Sequence, residues 1–439
     1  MPCRPRLIWC LIACVASGCG KSSLGSRDGG RDDGATDVTP DAAPVGGRHA
    51  FDVTVKLAFT SPLSAGTFGT DFPTSATATL VVDTTAGWLV IGGEGQGSTA
   101  MIAASGSALV VATPVTLYVP FSGACNGVAT LDLSAFCVTI GPDGKLHGTA
   151  TGTARYLVGD VGYNQALTAT LDGVPDTTRP ALPIRTAGVL DPLAPARFAV
   201  SEPLPAGAKA QLVASDGVAV ELIPEMSQTG APVIVTAFRV PSVLPFGGSY
   251  RLALDQVVDF AGNQAAQQQS PPLGTLAAPP LLADGGFETT PVGAMGDATV
   301  FAAGDLPVIS GAQSLYLSPG YGQSLTFRLL VTPGSRSVFF SYRVTSTYDT
   351  VAGFFGTIVV GSAGSSIGSR SQLPVGTPTT KISQTGGTTL TIGPVSTAEL
   401  SLPDPSATEV VLKIVTPASG CGLRPPAGGL IIDDVRGGP

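Results

Sequence analysis

The chain has 439 residues, more than one hydrophobic core organises, so about two to four domains are expected. Charged residues are only 12% of it, the formal net charge is −8, and no basic patch or stripe stands outside the first few residues, which argues against a nucleic-acid binder. Gly (57) and Pro (37) are abundant and runs of helix formers are scarce, a mixture that suits short β-strands joined by tight turns and argues for an all-β, multidomain chain.

Arg4 and Arg6 precede an apolar stretch from Leu7 to Ala16 that ends in Ser17-Gly18-Cys19. The stretch suits a signal peptide and is too short to span a bilayer as a helix. Ala16-Ser17-Gly18-Cys19 resembles the lipobox of bacterial lipoproteins, although Leu is commoner in the place of Ala16. The resemblance implies that residues 1–18 are removed, that Cys19 receives diacylglycerol and that its new amine is acylated. Buried acyl chains contribute about 0.8 kcal/mol per CH₂, which makes the membrane the first expected partner. Gly20 follows the cysteine, where an Asp would signal inner-membrane retention in some Gram-negative bacteria, so the outer membrane is the expected location. Ordinary secretion, with cleavage at a nearby small residue, is the alternative. Residues 19–50 then form the lipidated cysteine and a tether. From Gly25 to Gly47 there is almost nothing apolar to bury, so burial does not offset the entropy of ordering. Gly20-Lys21-Ser22 lacks the leading glycine of a phosphate loop, since position 15 is Val15.

Residues 51–175 form the first unit. Phe51, Val53, Val55, Leu57 and Phe59 alternate with Asp52, Thr54, Lys56 and Ala58, the period of a strand with one buried face. Further strands are expected at Ala78–Val82, Trp88–Ile91, Val115–Phe121, Ala129–Ile140 and Leu167–Leu171, which fits a β-sandwich or small barrel. Cys125 and Cys137 are the natural disulfide pair in an oxidising compartment, closing a loop worth roughly 3 kcal/mol in the chain-entropy model. Gly95-Gln96-Gly97-Ser98-Thr99-Ala100 loosely fits a dinucleotide loop, but no βαβ alternation surrounds it, and it is read as a glycine-rich hairpin.

Residues 176–278 form the second unit. Three phrases stand in order: Asp176-Thr177-Thr178-Arg179-Pro180, Phe198-Ala199-Val200-Ser201-Glu202-Pro203-Leu204, and Asp259-Phe260-Ala261-Gly262-Asn263, the last after the strand Tyr250–Leu254. Together they resemble a bacterial Ig-like domain of surface and adhesin-type proteins. The resemblance implies a sandwich acting as a spacer, with Glu202 structural and not catalytic.

Residues 281–437 form the third unit. It opens with Asp284-Gly285-Gly286-Phe287-Glu288 and closes with Leu430-Ile431-Ile432-Asp433-Asp434-Val435, with strands expected at Ser314–Leu317, Ser324–Val331, Val338–Val344 and Glu409–Val415. This resembles the jelly-roll carbohydrate-binding modules, in which a Gly-Phe-Glu and an Ile-Asp-Asp-Val lie side by side. That family often holds a structural calcium there. The candidates are Glu288 and Asp433, with Asp434 the substitute, because neighbouring strand residues face opposite ways; solvated strand ends are the equal alternative. For sugar stacking, Tyr321 and Tyr348 lie near turns, whereas Tyr316 and Tyr342 lie inside strands and belong to the core.

Catalytic arrangements are weak. Gly364-Ser365-Ser366-Ile367-Gly368 matches a nucleophile elbow in letters only, since the two histidines, His49 and His147, both lie upstream. Cys421 has no evident partner. The expected protein is a non-enzymatic, lipid-anchored envelope protein with a binding or adhesion role, whose third unit meets a polysaccharide or another envelope protein. A purely structural envelope component is the alternative, followed by a hydrolase with a carboxylate-only site in the first unit.

Overall fold

The computed structural model describes residues 47–59, 70–71, 74–123, 127–158, 161–182, 189–194, 196–227, 232–265, 272–282, 284–289, 296–302, 304, 306–320, 322–347, 353–363, 367–374, 379–383, 389–416 and 428–439. Every regular element among them is a β-strand. The expected signal peptide, Cys19 and most of the tether lie outside the described residues, as do Cys125, Tyr321, Tyr348 and Cys421.

The first ten strands are β1 (Arg48–Phe59), β2 (Thr70–Asp71), β3 (Ser75–Asp83), β4 (Trp88–Gly93), β5 (Gln96–Ser105), β6 (Ala108–Val111), β7 (Val115–Gly123), β8 (Gly127–Ile140), β9 (Leu146–Val158) and β10 (Val161–Pro175). They form one antiparallel sheet in the order β2-β7-β8-β6-β5-β4-β3-β1-β10-β9, and β8 also pairs with β9. That last pairing closes eight strands into a barrel, which leaves those eight without a free edge, while β7 and β2 branch from β8. β6 and β7 share one edge of β8: Ala108–Val110 face Cys137–Thr139, while Val115–Phe121 face Gly127–Leu133. The alternation in β1 is realised, with Phe51, Val53, Val55 and Leu57 buried and Thr54 and Lys56 exposed. The inward side chains, including Leu80, Ile91, Leu131, Phe136 and Leu146, fill the barrel. β3 and β4 depart from the alternation: Leu80 to Asp83 and Trp88 to Gly92 are buried without interruption, so both faces of these strands are covered.

The next strands are β11 (Val189–Leu190), β12 (Arg197–Pro205), β13 (Lys209–Ala214), β14 (Ala219–Glu221), β15 (Ile223–Met226), β16 (Ile234–Arg239), β17 (Ser249–Gln256) and β18 (Leu273–Thr275). A five-stranded sheet, β11-β18-β17-β13-β14, and a three-stranded sheet, β12-β16-β15, enclose a core of Phe198, Val200, Leu212, Phe238, Leu252 and their neighbours. The ladder between β12 and β16 slips between Ala199 and Leu204. Val200-Ser201-Glu202-Pro203 therefore bulges from the sheet, which suits a proline with no donor.

The last strands are β19 (Thr299–Ala302), β20 (Gln313–Leu317), β21 (Ser324–Leu330), β22 (Ser337–Ser346), β23 (Phe354–Gly361), β24 (Gly368–Leu373), β25 (Thr380–Ser383), β26 (Thr389–Ile392), β27 (Ser396–Ser401), β28 (Glu409–Val415) and β29 (Gly429–Gly438). Seven of them form one sheet around β22 and β29, and β21-β28-β23-β24 form the other. Phe287, Phe327, Phe340, Phe354 and Leu412 pack between the two. The second and third units meet through Leu193, Val243, Val359 and Val411, flanked by an ion pair between Lys413 and Asp191.

Candidate metal centre

The three phrases of the second unit each deliver one carboxylate to the same place. Asp176 follows the end of β10, and its backbone N–H donates to the Ala50 carbonyl of β1 at 2.9 Å. Glu202 sits in the β12 bulge. Asp259 opens the turn Asp259–Asn263, where Gly262 has φ +91, a conformation that glycine adopts without a steric penalty. Ligand oxygens of Asp176, Glu202 and Asp259 all lie within 4.8 Å of one another. The three residues are 8%, 3% and 4% exposed, so each is more than nine-tenths buried.

Hydrogen bonds account for part of this acidic cluster. Asp259 accepts from the Asn263 backbone N–H at 2.8 Å and from Asn263 Nδ2 at 2.9 Å. Asp176 Oδ1 accepts from the Thr178 N–H at 2.9 Å. Glu202 Oε2 accepts from Thr79 Oγ1 of the barrel at 3.4 Å. Asp176 Oδ2 and Glu202 Oε1 are buried with no partner. A buried charge without a partner costs several kcal/mol, and two like charges about 4 Å apart add about 4 kcal/mol at an effective dielectric of 20.

Burial pushes the Glu202 carboxyl up to about 8, helped by the negative charges of Asp176, Asp259 and Asp52. Burial likewise pushes Asp176 up to about 6; the Thr178 N–H pulls it back, Asp52 and Asp259 push it up again, and a hydrogen bond to Glu202, which forms only when the two carboxyls share a proton, lowers it. The cluster thus calls for a positive occupant, either a proton or a cation. An all-carboxylate donor set with no thiolate or imidazole suits a hard cation such as calcium or magnesium. Beside the cluster lies a cleft of about 460 Å³ whose walls include Asp52, Thr77, Thr79, Glu94, Thr178 and Glu202.

The calcium candidates read from the third unit lie in a different setting. Asp433 is fully buried, and its carboxylate accepts from Ser310 N–H at 3.1 Å, Ser314 Oγ at 2.6 Å and Asp434 N–H at 2.8 Å. Burial raises its pKa, while these donors oppose the rise. Glu288 Oε1 accepts from the backbone N–H groups of Ala312 at 2.8 Å and Gln313 at 3.3 Å. A Cβ on Gly311 would lie 1.8 Å from that oxygen, so Glu288 closes tightly over the glycine. Asp434, at φ +50, turns away to accept from Ser310 Oγ at 3.0 Å. The Gly-Phe-Glu and Ile-Asp-Asp-Val segments lie side by side, with the Val435 N–H donating to the Gly285 carbonyl at 2.9 Å, but among the described residues the buried carboxylate oxygens that lack partners are those of Asp176 and Glu202.

Other sequence candidates fall in place. Tyr342 is buried, with its hydroxyl donating to the Pro374 carbonyl at 3.0 Å, and Tyr316 packs edge-on against Phe301. Trp88 is no exposed sugar platform; it lies 5.9 Å from Phe260 across the junction of the first two units. His147 pairs with Asp172 on the outside of the barrel at 3.2 Å. Cys137 lies on β8 opposite Val110 and Thr149. Sequence reasoning saw each of the three acidic phrases but not their convergence. The signal that was present is that every phrase carries one acid, at a strand end, in a bulge or in a turn.

No protein-family model matches the chain, and no curated protein matches it. Among solved structures, it overlaps the enzymatically active domain of bacteriophage CBA120 tailspike protein 4 at a TM-score of 0.22 and 12% identity, covering 38% of this chain and 22% of that one. A structure of carbohydrate-binding modules from the β-sandwich superfamily overlaps at a TM-score of 0.22 and 14% identity, over 60% of this chain and 99% of that one. The secreted serine protease VesC from Vibrio cholerae overlaps at 0.22 and 10%, over 89% and 74%.

Proposed function

We propose that the protein is a lipid-anchored envelope protein, held through Cys19, whose all-β modules form a scaffold stabilised by a divalent cation, calcium, at Asp176, Glu202 and Asp259. The observation that carries the cation reading is the pair of buried, unpartnered oxygens, Asp176 Oδ2 and Glu202 Oε1, within a three-carboxylate cluster. The reading assigns no catalysis. It gives the partner-facing role to the third unit, which lies farthest along the chain from the anchor. Its partner class is a polysaccharide or another envelope protein.

Two measurements test this. Calorimetric titration of the chelator-stripped protein at pH 7.5 is expected to show one calcium site. Saturation at 100 times Kd should add about 2.7 kcal/mol of stability. Glu202→Gln should weaken that binding at least tenfold, while Glu288→Gln leaves it unchanged. Titration without heat or stabilisation would remove the cation reading. For the partner-facing role, deletion of residues 281–437 should abolish retention of the protein on envelope polysaccharide; undiminished retention would leave that unit as a scaffold.

A further inference from the structure

The carboxylate cluster sits on a seam between the barrel and the Ig-like unit. On the barrel side, Val81, Trp88 and Val90 point away from the barrel interior, yet they are buried against Ile234 and Phe260 of the second unit. The hairpin joining β4 and β5 has glycines where the second unit presses on it. A Cβ on Gly97 would lie 2.5 Å from Ile234 Cδ1, and one on Gly92 would lie 2.7 Å from Pro203 Cγ. Gly95, at φ +71, donates its N–H to the Val200 carbonyl at 2.8 Å. Its own carbonyl accepts from Arg197 Nη2 at 3.0 Å. Val200 and Pro203 belong to the same bulge as Glu202, so a hairpin of one unit clamps the segment that carries a ligand of the other.

The barrel also reaches the cluster directly. Thr79 Oγ1 donates to Glu202 at 3.4 Å, and Thr178 Oγ1, two residues past Asp176, donates to Asp52 of β1 at 2.8 Å. We infer that cation binding at Asp176, Glu202 and Asp259 and the docking of the barrel on the Ig-like unit are one coupled equilibrium, so that the cation stiffens the joint between the two units. The inference rests on the cation reading above. Its physical basis is linkage: if docking holds the Glu202 bulge in the geometry that binds the ion, the ion strengthens docking by the same factor. The joint then stays aligned where the cation is plentiful and loosens where it is scarce.

Hydrogen exchange on the full-length protein, with calcium or with chelator at pH 7.5, tests the coupling, and calcium uptake is measured on the same sample. Calcium is expected to slow exchange at least tenfold in peptides covering residues 88–100 of the barrel as well as residues 197–205 of the second unit. Exchange in β8 and β9, on the far side of the barrel, should not change. If calcium binds but protects only residues 176–178, 197–205 and 259–263, the site belongs to the second unit alone; the coupling is then overturned and the cation reading survives. If no calcium is taken up, both fall together.

Discussion

Stripped of cations, the protein should lose about 5 kcal/mol of stability as the pH rises from about 4.5 to about 8, the opposite of the usual carboxylate behaviour. The sign follows from the proton balance. Glu202 has an ordinary value of 4.5 when unfolded and about 8 when folded, so the folded state holds its proton more tightly. The stabilisation is complete below the unfolded value, declines across the interval and is gone above the folded value. At about 1.4 kcal/mol per pH unit the interval gives the figure above, and Asp176, raised from 3.8 to about 6, acts in the same sense over the lower part of the range. Urea unfolding of the processed chain with chelator present, followed by Trp88 fluorescence, should show the decline. Calcium should restore stability above pH 8, where it replaces the lost proton. Cation-free stability that is flat or rising between pH 5 and 8 would show that the cluster is not under the strain described.

Trp88→Ala should cost about 3–5 kcal/mol, the usual range for deleting a buried aromatic side chain. Trp88 is 7% exposed. Its ring stands 5.9 Å from Phe260, and the Arg48 guanidinium lies 5.3 Å above it, a contact that adds about 0.5–1 kcal/mol at a partly exposed site. Because the ring covers the outer face of the barrel and not its interior, the loss should fall on docking of the two units. Phe260→Ala in the Trp88→Ala background should then cost much less than Phe260→Ala alone, measured by urea unfolding as a double-mutant cycle. Additive costs, or a loss below about 1 kcal/mol for Trp88→Ala, would show that the seam is not held there.

Much of the fold was legible along the chain. The period-two alternation of Phe51 to Leu57 depends only on the pleat of one strand, and these residues bury the face that the alternation predicts. The expected strand Glu409–Val415 is β28 itself, and Ser314–Leu317 falls within β20. In both cases local geometry decides which side chains share a face. The choice between sandwich and barrel for the first unit was not local. It rests on the pairing of β8 with β9, and no residue pattern within either strand states how a sheet curls.

The same division holds at the candidate site. The acids Asp176, Glu202 and Asp259, the turn glycine Gly262 and the proline that breaks the β12 ladder can all be read from the amino acids, because each reports a local backbone requirement. Gly95 and Gly97 were equally visible, but as a hairpin without a purpose. The apolar runs Leu80-Val81-Val82 and Trp88-Leu89-Val90-Ile91 marked strands, but that both of their faces are covered is seen only in the folded chain. What covers them, and what brings three distant carboxylates within 4.8 Å, is the docking of one unit on another. Burial, like-charge repulsion and the raised carboxyl pKa values all arise from groups far apart in the chain, so they come into being only when the units pack.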